Sequence, residues 1–349
     1  MNSKTKAGLM VWSILTVLLA SVAAQERSQI VRMDAVRIGL TRDEATLSFV
    51  SGQAGHFLVQ QGRRTSDGGM SSVVFEINMQ GKHVGTYDLD AVLGRKTPFK
   101  NFTVDSSGNV YFFLFSSPED PDPSVPVVYV FQQGGKFLRK VRLSGNLSPH
   151  QMAISPDGSW LVAARSVTRK QEPQSAQTPR PLLYEFNPDG SLVREFPLPQ
   201  STRTEYPESP WPPARAVWDL SHLLVDSSGN LFLIHPTARP AIFKFDASGN
   251  LLLQRRLAEL PGTWVITAIL DDHDRLVLDR GLVRRSPQEP LPTSQARVLC
   301  VLNPFTLETV VELEPSPLLG RLGAVRGGEM FFLANHPALG LELVRAVVR

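Results

Sequence analysis

The chain has 349 residues, with 36 basic and 33 acidic side chains, 42% apolar residues, 25 Gly, 27 Pro and one Cys. So much apolar material at a net charge of only +3 excludes a disordered tail. A single cysteine excludes an intramolecular disulfide framework and a Cys-rich zinc module.

Lys4 and Lys6 precede an unbroken run of apolar and small residues from Leu9 to Ala20. Val22-Ala23-Ala24 then sets small residues where a signal peptidase needs them, and polar Gln25-Glu26-Arg27 follows. This is the layout of a secretory signal peptide over residues 1–24, cleaved after Ala24. Leu9 to Ala24 is shorter than the roughly 20 residues of a spanning helix, and no other apolar run approaches that length. The leader holds no acid, so losing its two lysines takes the net charge from +3 to +1. Nothing then steers a polyanion, and no nucleic-acid partner is expected. The expected mature protein is residues 25–349, a secreted or periplasmic monomer of one domain without a membrane span. With no disulfide available it must be stabilised by burial, which a chain of this length can supply. The glycosylation-type triplets Asn101-Phe102-Thr103 and Asn146-Leu147-Ser148 occur at a chance level and decide nothing.

Along the rest of the chain a turn signature recurs after an apolar strand. It reads Val104-Asp105-Ser106-Ser107-Gly108-Asn109-Val110, then Ile154-Ser155-Pro156-Asp157-Gly158-Ser159-Trp160, then Val225-Asp226-Ser227-Ser228-Gly229-Asn230-Leu231. Leu270-Asp271-Asp272-His273-Asp274-Arg275-Leu276 has the same length with its glycine replaced, and weaker copies span Val50 to His56 and Val325 to Met330. Gly, Asn and Asp supply the positive φ and the local hydrogen bonds of a tight hairpin. A second hairpin signature is interleaved at Gln80-Gly81-Lys82, Gln133-Gly134-Gly135-Lys136, Asn187-Pro188-Asp189-Gly190 and Asp246-Ala247-Ser248-Gly249-Asn250, with a glycine-free version at Asn303-Pro304-Phe305-Thr306. The period is about 55 residues, and six units of two hairpins each at that period predict a β-propeller.

The strands agree. Val110 to Phe115, Trp160 to Ala164, Leu231 to Ile234 and Met330 to Leu333 are apolar throughout, the mark of a strand covered on both faces. Lys136 to Leu143 and Leu307 to Glu314 alternate, as half-wet outer strands should. The fold class expected is all-β: a six-bladed β-propeller of four-stranded antiparallel blades. The last unit stops one strand short at Leu341 to Arg349, and Gln29 to Leu40 belongs to no unit. The N-terminal strand is therefore expected to pair with the C-terminal blade and close the ring. Ser155-Pro156-Asp157-Gly158 before an apolar strand resembles the TolB-like propeller repeat, and Asp226-Ser227-Ser228-Gly229-Asn230-Leu231-Phe232 resembles the NHL-type repeat. The resemblance spans residues 45–349 and implies a fold superfamily, not an activity.

In such a ring both hairpin turns of every blade fall on one face. The opposite face carries the long Pro-rich connections Ser117 to Pro126, Ser166 to Pro181, Gln200 to Pro213 and Arg284 to Gln295. Tyr206, Trp211 and Trp218 are their candidate aromatic contacts for a protein, peptide or glycan. Near the axis, the slot four residues before each turn Asp holds Asn101, Gln151, His222 and Thr267, with Leu47 and Leu322 in the other two units. The preceding slot holds Thr46, Lys100, His150, Ser221, Ile266 and Arg321. The candidate ligand-binding set is Asn101, His150, Gln151, His222, Thr267 and Arg321, an arc of amide, imidazole, hydroxyl and guanidinium groups suited to a polar ligand. Asp271-Asp272-His273-Asp274 looks metal-like, but it occupies a turn slot and is read as a turn. His235-Pro236 and His336-Pro337 lie in non-adjacent units, and Cys300 sits in an apolar core run. No catalytic residue, metal or cofactor is assigned. The expected function is a non-catalytic exported binding scaffold. The alternative is a lactonase-like hydrolase or lyase using His222 or His150 as base.

Overall fold

In the computed structural model the turns form as their side chains dictate. Asp105 Oδ1 accepts from the backbone N–H of Ser107 and Asn109, both at 2.9 Å, and Asp226 Oδ1 does the same with Ser228 and Asn230 at 3.0 and 2.8 Å. Asp271 repeats this with His273 and Arg275 at 2.9 and 2.8 Å. Its copy has lost the turn glycine, and Asp274 takes the left-handed conformation instead (φ 57°), which a short polar side chain tolerates. Arg275 also replaces the asparagine of the other copies: its Nε lies 2.7 Å from Asp271 Oδ2, where Asn109 and Asn230 donate at 2.9 and 2.8 Å. The Asp-Asp-His-Asp string is thus a hairpin turn whose first carboxylate is spent on its own backbone.

The structure describes residues 30–38, 45–52, 55–64, 70–95, 101–115, 125–145, 147–166, 181–196, 221–282, 297–336 and 340–349. They form six four-stranded antiparallel sheets. After β1 (Ile30–Arg37), blade 1 is β2 (Ala45–Ser51), β3 (His56–Arg64), β4 (Met70–Asn78) and β5 (His83–Tyr87). Blade 2 is β6 (Asn101–Val104), β7 (Val110–Phe115), β8 (Pro126–Phe131) and β9 (Phe137–Arg142), and blade 3 is β10 (Leu147–Ile154), β11 (Trp160–Ser166), β12 (Pro181–Phe186) and β13 (Leu192–Phe196). Blade 4 is β14 (His222–Val225), β15 (Leu231–His235), β16 (Ala241–Phe245) and β17 (Leu251–Arg256), and blade 5 is β18 (Thr263–Leu270), β19 (Leu276–Leu282), β20 (Arg297–Leu302) and β21 (Thr309–Leu313). Blade 6 is β22 (Arg321–Arg326), β23 (Glu329–His336) and β24 (Gly340–Val348), completed by β1 as its outermost strand. β1 runs antiparallel to β24 from Ile30 opposite Val348 to Arg37 opposite Glu342. The ring is closed by the two ends of the chain, as the truncated last unit predicts.

The unbroken apolar strands serve two seams at once. Successive side chains of a strand point to opposite faces of its blade. In β7, Val110 and Phe112 pack towards blade 1, while Tyr111 and Phe113 pack towards blade 3. In β15, Leu231 and Leu233 face blade 3, and Phe232 and Ile234 face blade 5. Each hydrophobic cluster of the described residues lies between two adjacent blades. The outer strands are wetter than simple alternation predicts: in β9 only Val141 is buried, and in β13 only Phe196. Blades diverge towards the rim, so only the end of an outer strand meets a neighbour.

The second hairpin series has a cause that no local rule shows. Its glycines abut the outer strand of the preceding blade. A Cβ on Gly81 would lie 2.7 Å from Arg37 O, on Gly135 1.9 Å from Thr86 O, on Gly190 2.0 Å from Arg142 O, and on Gly249 2.4 Å from the Phe196 ring. In blade 5 the glycine-free copy gives its positive φ to buried Leu307 (54°). Gly190→Ala is therefore expected to cost about 2–4 kcal/mol, from strain plus backbone displacement. Gly158→Ala, at φ 88° but with nothing near its Cβ, should cost only about 1–2 kcal/mol. Urea titrations of the two variants check this; equal losses would refute the seam contact.

Candidate functional site

The first strand of each blade lines the axis, and together these strands enclose a cavity of about 750 Å³. Of the candidate residues, Asn101, Gln151, His222, Thr267 and Arg321 line it. Asn101, Gln151, His222 and Thr267 each stand three residues before the turn-side end of their inner strand, and with Arg321 at the start of β22 they form a polar arc towards the end bearing the long connections. His150 is brought to the same level but does not line the cavity. It is the extra residue of a bulge between Pro149 and Gln151, and its ring Nε2 is buried. Bulges at the same level occur in β18, β2 and β22.

The bulges correct the alignment of the remaining two slots. In blade 1 the turn begins at Gly52, whose N–H donates to His56 O as that of Asp105 donates to Asn109 O. The ring position is thus Ser48, opposite Gln60, and not Leu47. In blade 6 the turn shrinks to Gly327-Gly328, so Ala324 takes the slot and Leu322 is buried in a seam. In blade 1 the turn keeps the regular length but begins at Gly52, one residue later than the degenerate repeat pattern placed it, whereas in blade 6 the turn itself is shorter. Ser48, Gln60 and Ala324 line the cavity and were missed for this reason.

A bulge removes backbone groups from the ladder, and those groups need other partners. The ring side chains supply them across the seams. Asn101 Nδ2 donates to His150 O at 3.0 Å, tying blade 2 to blade 3, and His222 Nε2–H donates to Val265 O at 3.2 Å, tying blade 4 to blade 5. Arg321 Nε donates to Thr267 Oγ1 at 3.4 Å, tying blade 6 to blade 5. At the turn end, Asp274 Oδ1 accepts from Ser227 N at 3.0 Å, Asp272 Oδ2 accepts from Gly327 N at 2.7 Å, and the Arg326 guanidinium donates to Ser51 Oγ and Gly52 O. The ring is rigid because its polar groups also join the blades.

Electrostatics follow from this enclosure. Burial, reinforced by the Arg321 charge and only partly offset by the hydrogen bond to Val265, pushes the His222 pKa down to about 4. Its imidazole is neutral at physiological pH, with the proton held on Nε2. Arg321 is itself held below the ordinary guanidinium value by burial, with Asp279 opposing the shift. Asp279 is engaged elsewhere, accepting from Arg297 Nε at 2.8 Å.

Ser221, from the preceding slot, does not reach the cavity. Its hydroxyl lies 3.0 Å from His235 Nδ1, and both residues are 0% exposed. Burial pushes the His235 pKa down to about 3. This is a closed Ser–His pair with no room beside it for a substrate. Tyr206, Trp211 and Trp218 lie outside the described residues, as do the signal segment and most of the long connections. No described helix is long and apolar enough to cross a membrane.

No protein-family model matches the chain, and no curated protein matches it. Among solved structures it is similar to a protein of unknown function from Dyadobacter fermentans, at 12% identity and a TM-score of 0.52 over 92% of this chain and 99% of that one. A protein of unknown function from Bacteroides caccae matches at 12% identity and a TM-score of 0.45, covering 79% and 83% of the two chains. The acylaminoacyl peptidase of Pyrococcus horikoshii matches at 10% identity and a TM-score of 0.45, covering 88% of this chain and 46% of that one. The first of these supports the fold and nothing finer.

Proposed function

We propose that this chain is an exported propeller of the NHL- or TolB-like kind that works as a binding scaffold, engaging a peptide, protein or glycan at the loop-bearing mouth of its axial cavity. The observation that carries this reading is the use made of the ring. Asn101, His222 and Arg321 each bridge two blades while still lining the cavity, which presents fixed polar groups to a ligand. The same geometry weighs against the lactonase-like alternative. Of its two candidate bases, His150 does not line the cavity, and a His222 with a pKa near 4 is a feeble proton acceptor. Export rests on the leader pattern of residues 1–24. Tyr206, Trp211 and Trp218 are the proposed aromatic contacts at the rim.

The test is to probe the chain from Gln25 onwards against peptide and glycan arrays. We expect specific capture, weakened at least about tenfold by Trp211→Ala or Trp218→Ala if these are anchors, and weakened also by Gln151→Ala. An empty array, together with hydrolysis of a lactone that disappears in His222→Ala, would overturn the scaffold reading in favour of the enzyme.

A further inference from the structure

One seam of the ring is filled by side chains that another seam lacks. The turn hydrogen bonds fix the correspondence between blades. Gly52 N–H donates to His56 O as Ser155 N–H does to Ser159 O, Asn78 to Lys82 as Asn187 to Ser191, and Gln132 to Lys136 as Asp246 to Asn250. Ser159, Glu185 and Ala247, at the seam between blades 3 and 4, thus stand where His56, Glu76 and Gln133 stand between blades 1 and 2. In the earlier seam the His56 ring and the Gln133 amide reach the Glu76 carboxylate, at 2.5 and 3.0 Å. In the later seam those two side chains are cut to a hydroxyl and a methyl. A cavity of about 170 Å³ opens there on the turn face, lined by Ser159, Glu185 and Ala247.

Its walls are polar and under-supplied with donors. Ser159 is 8% exposed, and its Oγ has no hydrogen-bond partner, being too short to reach Glu185 as His56 reaches Glu76. Glu185 lies directly opposite Leu161 in the ladder, so it shares with Leu161 and Ser159 the face of blade 3 that meets blade 4. Arg194 Nε donates to Glu185 Oε2 at 2.5 Å, and its other two nitrogens donate to Ala247 O and Ser248 O, which holds the two walls together. Asp157 and Asp246 add two further carboxylates, and among the described residues no basic side chain lines the cavity. Leu161, Phe196 and Leu231, all buried, give it an apolar floor.

We infer that this seam cavity binds a compact organic cation, a primary ammonium on a short alkyl stem. Its N–H groups give the Ser159 hydroxyl and the Glu185 carboxylate the donors that His56 and Gln133 give Glu76, while its methylenes lie on Leu161, Phe196 and Leu231. Carboxylates set partly out of water gain more from a cation than acids on an open surface. Two sources share this chemistry: a free alkylamine, and the lysine side chain of a peptide. The site opens on the turn face, opposite the axial mouth proposed above, and does not depend on that reading.

Calorimetric titration of the protein separates the cases. The probes are butylamine and an acetylated, amidated Gly-Lys-Gly peptide, each beside an uncharged counterpart, 1-butanol and the same peptide with norleucine for lysine. We expect the amines to bind and the uncharged probes to bind at least about tenfold more weakly. Butylamine binding as tightly as the lysine peptide, or more tightly, assigns a free-amine site; a peptide at least about tenfold tighter assigns a docked lysine. The double variant Ser159→His with Ala247→Gln refills the seam as between blades 1 and 2 and should abolish amine binding. Undiminished binding to that folded variant overturns the site. Equal affinity for amine and uncharged probe, or no binding of either amine at millimolar concentration, overturns the inference without relying on any variant. Array capture that depends on Gln151 would leave the scaffold reading intact while this one falls.

Discussion

Deleting residues 30–37 is expected to abolish the stable fold. β1 supplies the fourth strand of blade 6 through a ladder that runs its whole length, interrupted by one bulge at Met33. It adds an ion pair from Arg32 to Glu342 at 3.1 Å and another from Arg345 to Asp34 at 2.8 Å. The exposed ion pairs add little, but the lost ladder and the seam contacts of Ile30 and Ala35 sum to about 5–10 kcal/mol. That is comparable with the whole stability of a typical domain. Removal also bares the edge of β24 as a long unpaired template. Light scattering should show aggregates that the full chain does not form, and a synthetic peptide of residues 30–38 should suppress them in part. A truncated chain with an unchanged urea midpoint would refute closure by the termini. A gentler probe is Ile38→Ala: Ile38 is 1% exposed in the seam between blades 6 and 1, and the change should cost about 2–4 kcal/mol with the strand still in place.

The second large effect is expected at Glu76, a 3% exposed carboxylate at the seam between blades 1 and 2. Oε2 accepts from Tyr87 OH at 2.7 Å and from Gly134 N–H at 3.1 Å; Oε1 accepts from Gln133 Nε2 at 3.0 Å and lies 2.5 Å from His56 Nδ1. Burial alone would raise its pKa, but the bonds from His56, Gln133, Tyr87 and Gly134 together outweigh it and hold the carboxyl below its ordinary value. Glu76→Ala strands these donors in the seam and should cost about 3–5 kcal/mol at pH 7. Because the folded pKa is depressed, the contribution is present above the unfolded value near 4.3 and is lost as pH falls through the lower folded value. The gap between wild type and Glu76→Ala should therefore narrow in acid, measured by urea titration at pH 7 and below pH 4. A gap independent of pH would show that the loss is one of packing alone.

The two hairpin series carry different information, and the contrast explains what could be read in advance. The Asp-Ser-Ser-Gly-Asn turns are local: Asp105 and Asp226 bond to residues two and four positions away, so a seven-residue window holds the whole cause. The glycines of the second series were equally visible, but their stricter reason, contact with a strand some 45–55 residues earlier, was not. The candidate ring was mostly legible because four turns share one length. It slipped at Ser48, where a turn without the Asp and Asn markers begins one residue later than the pattern suggests, and at Ala324, where the turn shrinks to two glycines.

Strand number, blade count, turn chemistry and closure by the two termini were all contained in the sequence, since each depends on neighbours along the chain or on a repeat that counts itself. Only the tertiary structure decided which polar groups face the axis, that His222 is held neutral by burial and by the nearby Arg321 charge, and that Glu76 is answered from the next blade. Those properties arise between blades, where groups far apart in sequence are desolvated together, and linear spacing carries no record of that encounter.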